Sequence, residues 1–133
     1  MKFMLISYAT KDWEAGAPPD QRLLAAIPRL WEKMPQGGAL IGTGGLAPSS
    51  MGAKVRVSGG KVAVTDGPFT ETKEIVGGYA IVDVNSKEDA ITIAKEFWQL
   101  HVDVLGPSYE GGGEIRQMFH QEECGPKHER LGQ

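Results

Sequence analysis

The chain has 133 residues, 17 acidic against 14 basic side chains, a net charge of -3 and 41% hydrophobic residues. That length suits one domain with one core, and the mild negative charge excludes a basic nucleic-acid-binding face, while the apolar content excludes a disordered chain. Cys124 is the only cysteine, so an intrachain disulfide is excluded and a reducing, cytoplasmic setting is expected.

Taken in chain order, Lys2 to Tyr8 reads as a first strand whose two parities, Phe3/Leu5 and Met4/Ile6, are both apolar. A strand of that kind is covered on both faces. The run is too short for a signal-peptide core or for the ~20 apolar residues of a membrane span, so neither secretion nor a membrane is expected. Ala15 to Pro19 reads as loop. From Asp20, the residues Leu23, Leu24, Ile27, Leu30, Trp31 and Met34 recur at helical spacing, with a kink or short break expected at Pro28 because proline lacks the N–H that the helix needs.

Gly37-Gly38 closes that helix, and Ala39 to Gly42 starts a second strand running into Gly42-Thr43-Gly44-Gly45. Val55-Arg56-Val57 and Val62-Ala63-Val64 flank Gly59-Gly60 and read as a β-hairpin, since a two-glycine turn supplies the positive φ angles that tight hairpins use. Tyr79 to Val84 is a further strand apolar on both parities. Ser86-Lys87-Glu88-Asp89 has capping-box spacing ahead of a helix carrying Ala90, Ile91, Ala94, Phe97 and Trp98, stopped at Gly106-Pro107. Glu114 to Phe119 is the last strand, and 121–133 a polar tail beyond a domain at 1–120.

The order β-α-β, hairpin, β-α-β describes an α+β sandwich of ferredoxin-like type with a hairpin inserted at its middle. The strands at 2–8 and 79–84 would be central. Both helices would cover one face, leaving an apolar second face to be buried by twofold self-association. A homodimer is expected.

Thr65-Asp66-Gly67-Pro68-Phe69-Thr70-Glu71-Thr72-Lys73-Glu74, followed by Gly77-Gly78-Tyr79, resembles the YCII-related family in the branch named for its DGPF motif. The resemblance runs from Met4-Leu5-Ile6 to Glu114-Ile115-Arg116. It implies a ferredoxin-like fold pairing through its sheets into a dimeric α+β barrel. It implies no cofactor and no established reaction. Broader relatives are suspected of His/Asp acid-base chemistry, one branch performs a dehydrochlorination, and DGPF-type members are often associated with alternative sigma factors, which would make such a factor a possible partner.

The residues admit competing readings. Asp66-Gly67 after a strand is a turn pair, but Pro68 has no N–H for an Asx-turn, so Asp66 either reaches Phe69 or faces a pocket as a catalytic carboxylate. Gly67, Pro68, Phe69, Lys73 and Glu74 would then form a binding loop. Phe69 is an anchor or a cavity wall, and Lys73 is a solvated charge or an anion clamp. His101 is the acid-base candidate by chemistry, yet it follows Phe97 and Trp98 in phase with the buried stripe of its helix. Its neighbour Asp103 points elsewhere on the helix, so a carboxylate partner would come from Asp66 or Glu74.

Gly42-Thr43-Gly44-Gly45-Leu46-Ala47 loosely matches a dinucleotide fingerprint but lacks a following helix, which leaves a strand-to-loop bend. His120, Cys124 and His128 are spaced by four, but Gly125-Pro126 breaks any helix that would align them, so no metal site is expected. The functional reading taken first is a small-molecule-binding or regulatory module. The alternatives are a cofactor-independent lyase or isomerase using Asp66 and His101, and a purely structural dimer.

Overall fold

The computed structural model describes residues 1–69 and 74–119. Strand β1 (Lys2–Tyr8) leads into a short helix α1 (Lys11–Glu14), helix α2 (Gln21–Trp31) and strand β2 (Ala39–Gly45). A single 3-10 turn at Ser49–Met51 precedes strands β3 (Ala53–Ser58) and β4 (Lys61–Asp66), and the chain finishes with β5 (Val76–Asp83), helix α3 (Lys87–Leu105) and β6 (Gly113–Gln117). The sheet order is β2-β5-β1-β6, antiparallel throughout, with β1 and β5 central as their two-sided apolar sequences predict. This α+β arrangement is consistent with the ferredoxin-like fold.

The pleat of the central strands sorts their side chains. Phe3 and Leu5 of β1 and Ala80 and Val82 of β5 turn to the helical side, where they are buried with Val84 against Ala90, Ile93 and Ala94 of α3. Trp31 and Met34, at and just beyond the end of α2, close that core. The opposite parity places Met4 beside Ile81 and Ile6 beside Tyr79 on a face that no helix covers among the described residues. Ser86 caps α3 through its hydroxyl, which accepts from the Asp89 N–H at 3.1 Å, and Gly106 ends the helix with a φ of 102°, a value that a Cβ would disfavour.

The β3–β4 hairpin forms as its sequence predicts, around Gly59 and Gly60 with φ of 59° and 76°, and its register sets Val55 opposite Val64 and Val57 opposite Val62. Those positive angles are what the two glycines supply. The hairpin pairs with no other strand among the described residues, and its four valines are 65 to 70% exposed.

Several expectations change. Helix α2 runs unbroken through Pro28 because the carbonyl that proline leaves unpaired belongs to Leu24, which is exposed and can be hydrated. The glycine run at 42–45 stays within β2 instead of bending away. Gly44 lies beneath the Tyr79 ring, where a Cβ would come within 3.0 Å of the aromatic carbons. Helix α1 was not apparent from the pattern; Thr10 caps it by accepting from the Trp13 N–H at 3.2 Å. The last strand spans Gly113–Gln117 rather than continuing to Phe119. Lys73, His120, Cys124, His128 and the polar tail lie outside the described residues.

Candidate functional site

The corner at Asp66 to Phe69 is built by close packing on the 3-10 turn. The Gly67 N–H donates to the Gly52 carbonyl at 2.9 Å. A Cβ on Gly67 would stand 1.7 Å from the Ser49 carbonyl oxygen, so only glycine fits there. Beyond the cis Gly67-Pro68 peptide, the Phe69 N–H donates to the Ser49 hydroxyl oxygen at 2.8 Å. That hydroxyl donates in turn to Glu14 Oε1 at 2.5 Å, while the Ser49 N–H donates to Glu14 Oε2 at 2.8 Å. One carboxylate from α1 thus holds the turn, and the turn holds the corner. The Phe69 ring is half-buried, with Lys54 Nζ 4.9 Å from its centroid, and serves as an anchor.

Ser49 and Glu14 were invisible as a pair in the sequence, because 35 positions separate them. The Phe69 N–H, the expected local partner of Asp66, donates to Ser49 instead. Asp66 itself ends β4, is exposed, and makes no side-chain hydrogen bond among the described residues. Pro68 and Glu74 are exposed as well.

A separate cavity of about 510 Å³ opens at one end of the sheet, on its helical side. Its walls come from Ser7 at the end of β1, Asp12 and Trp13 of α1, the first turn of α2 at Leu23, the last turns of α3 at His101 and Leu105, and Tyr109. The volume falls in the range of small-molecule sites, about 300 to 1,000 Å³. Asp66 does not line it, so among the described residues this cavity holds His101 without Asp66.

His101 is 8% exposed. Its Nδ1 lies 2.8 Å from the Phe97 carbonyl oxygen; a carbonyl can only accept, so Nδ1 carries the proton and Nε2 is an acceptor. Nε2 has no protein partner among the described residues, yet it is not sealed from solvent. The ring sits between Phe97, 4.6 Å away, and Tyr109, 5.3 Å away. Burial lowers the imidazole pKa below its ordinary value, opposed in part by the Phe97 carbonyl, so the ring is neutral at pH 7. Asp103 accepts from Gln99 at 2.9 Å and is not its partner.

Trp13 is pinned by its indole N–H donating to the Leu46 carbonyl at 2.9 Å. Asp20 caps α2 and accepts from the Arg22 guanidinium at 2.9 Å, which pulls its carboxyl down to about 2. Burial raises the Tyr109 hydroxyl.

On the open sheet face the Tyr8 hydroxyl donates to Glu114 Oε2 at 2.5 Å. That bond pushes Tyr8 up to about 12 and, with Arg116, lowers the Glu114 carboxyl. Among the described residues no cluster of three or more His, Cys, Asp or Glu is placed to hold a metal, and no helix is long and apolar enough to cross a membrane.

The antiparallel sheet with helices on one face and a cavity at its end defines a small α+β domain. The chain belongs to the YCII-related domain family, whose profile matches residues 1–97. That match includes the Asp66 to Phe69 corner and the α1 wall of the cavity, whereas His101 and Tyr109 lie beyond it. An uncharacterised protein of Rhizobium meliloti (strain 1021) is 32% identical over 77 residues, which cover 58% of this chain and 62% of that protein's length.

Proposed function

We propose that this domain is a small-molecule-binding module whose ligand occupies the cavity beside His101, and that it acts as a homodimer paired through its open sheet faces. The observation that carries the first part is the His101 imidazole. Its Nδ1 is fixed by the Phe97 carbonyl, which leaves Nε2 as an acceptor without a protein partner among the described residues, on a side chain that lines an otherwise largely apolar space. An oriented polar group in an apolar cleft is how ligand sites obtain selectivity.

The experiment is a fragment screen by NMR on the native chain and on Leu105→Trp, which narrows the cavity from its α3 wall. Hits that shift the resonances of His101 and Trp13 in the native chain and vanish in the variant, with the melting temperature held, support the reading. Hits that persist in the variant contradict it.

The free Nε2 also favours a second reading, in which His101 is the general base of a cofactor-independent proton transfer. Asp66 would then act only if a second chain presented it. The dimer rests on the apolar face of Met4, Ile6, Tyr79 and Ile81, partly exposed in the single chain, and on the exposed valines of the hairpin, since contiguous exposed apolar surface marks an interface. Within the family, the Asp66-Gly67-Pro68-Phe69 motif supports placement in the DGPF branch. There we assign the corner a scaffolding role.

A further inference from the structure

Resting on the reading of the cavity as a ligand site, we infer that its ligand is a protonated amine on an aromatic or bulky apolar body, and that carboxylates and phosphates are rejected. The acidic lining, the C-terminal end of α3 and the aromatic residues support it, while the N-terminal ends of α1 and α2 also reach the cavity and that of α2 is offset by Asp20.

Among the described residues lining the cavity, the ionic side chains are Asp12 and Asp20, both acidic. They differ in availability. Asp20 is committed to the Arg22 guanidinium and to the first N–H groups of α2, so its charge neutralises the positive end of that helix. Asp12 makes no side-chain hydrogen bond among the described residues; it is exposed and is one of the residues lining the cavity.

Helix α3 adds to the same sign. It runs for 19 residues and brings its C-terminal end to the cavity at His101 and Leu105, with no basic residue in its last turn. The carbonyl end of a helix carries a partial negative charge that favours cations. Gly106 returns one N–H to the Val102 carbonyl, and no lysine or arginine of this element offsets the rest.

Two aromatic walls complete the environment. Trp13 is held in place by its bond to Leu46, and the Tyr109 ring lies 5.3 Å from His101 at a tilt of 35°. Ring faces attract an ammonium group and repel an anion, most strongly where water is reduced. The neutral His101 offers Nε2 as an acceptor, which an ammonium N–H can satisfy. A carboxylate there would set acceptor against acceptor beside Asp12 and would be buried without a counter-charge, a costly arrangement. The volume of about 510 Å³ accommodates a ring with a short side chain and leaves room to spare.

The test uses three ligands of nearly equal shape, 2-phenylethylamine, 2-phenylethanol and phenylacetate, titrated at pH 7.5 into the native chain and into Asp12→Asn by NMR. Asp12 is exposed, and a thermal melt verifies that the variant is folded. The amine is expected to bind about tenfold more tightly than the alcohol, with phenylacetate weakest. Asp12→Asn is expected to weaken the amine about fivefold and the alcohol less than twofold, the scale of one partly exposed ion pair.

Equal affinity for amine and alcohol, or tighter binding of phenylacetate, overturns the amine assignment while leaving the cavity as a site, provided His101 and Trp13 still shift. Silence from all three ligands overturns the amine assignment. The cavity reading falls separately if Leu105→Trp fails to abolish the fragment hits.

Discussion

Replacing Ser49 with alanine tests how the Asp66 to Phe69 corner is held. The Ser49 hydroxyl accepts from Phe69 N–H at 2.8 Å and donates to Glu14 at 2.5 Å, and Ser49 is 5% exposed. The substitution removes one bond to a carboxylate, worth about 1.5 to 3 kcal/mol, and one neutral bond, worth about 1 kcal/mol. It also orphans the half-buried Phe69 N–H, although water reaching Glu14 recovers part of the loss. The expected destabilisation is about 2 to 3 kcal/mol.

Urea unfolding measures it, with the slope unchanged if only the folded state is affected. Amide exchange at Phe69 should accelerate about thirtyfold or more, the equivalent of 2 kcal/mol. A cycle with Glu14→Ala should return a coupling of about 1 to 2 kcal/mol, as expected for directly bonded partners. A loss below about 0.5 kcal/mol with no change at Phe69 would refute the bridge.

Gly67→Ala should destabilise by at least about 3 kcal/mol, because its Cβ meets backbone atoms of Ser49 that cannot move aside; a urea midpoint near native would sink the close-packing explanation. His101 has a lowered folded-state pKa, so as pH falls below about 6.5 the unfolded chain takes up the proton first. Its contribution to stability is present above that pH and lost as pH drops toward the folded value. The urea midpoint of the native chain should therefore fall more steeply between pH 7.5 and 5 than that of His101→Asn, and parallel profiles would contradict the assignment. Ile81→Glu places a charge on the open sheet face and should convert a dimer to a monomer in sedimentation equilibrium; a native chain that is already monomeric removes the basis for pairing.

Elements whose signals are local were legible in the sequence. The two glycines of the hairpin turn and the alternating valines around them specify both turn and register, and Ser86 caps the helix it announces. The two-sided apolar runs at Lys2–Tyr8 and Tyr79–Val84 identify the central strands, while β5 itself spans Val76–Asp83, its opening glycines carrying no strand pattern.

Features that depend on contact across the chain were not legible. The place of Gly44 in a strand follows from a tyrosine on the neighbouring strand, and the need for Gly67 follows from a carbonyl in a distant turn. The Glu14–Ser49–Phe69 chain of hydrogen bonds joins three segments with no shared motif. His101 was identifiable by chemistry and its burial by helical phase, but its cavity is assembled from β1, all three helices and Tyr109. Nothing local to His101 announces Trp13 or Leu23.

The most direct test of the cavity as the functional site is nitrogen-resolved NMR of the His101 imidazole before and after addition of a hit from the fragment screen. The account predicts a ring protonated at Nδ1 in the free protein, with the Nε2 resonance shifting on binding while Nδ1 stays bonded to Phe97. A hit that binds stoichiometrically and leaves both His101 nitrogens unchanged would contradict it.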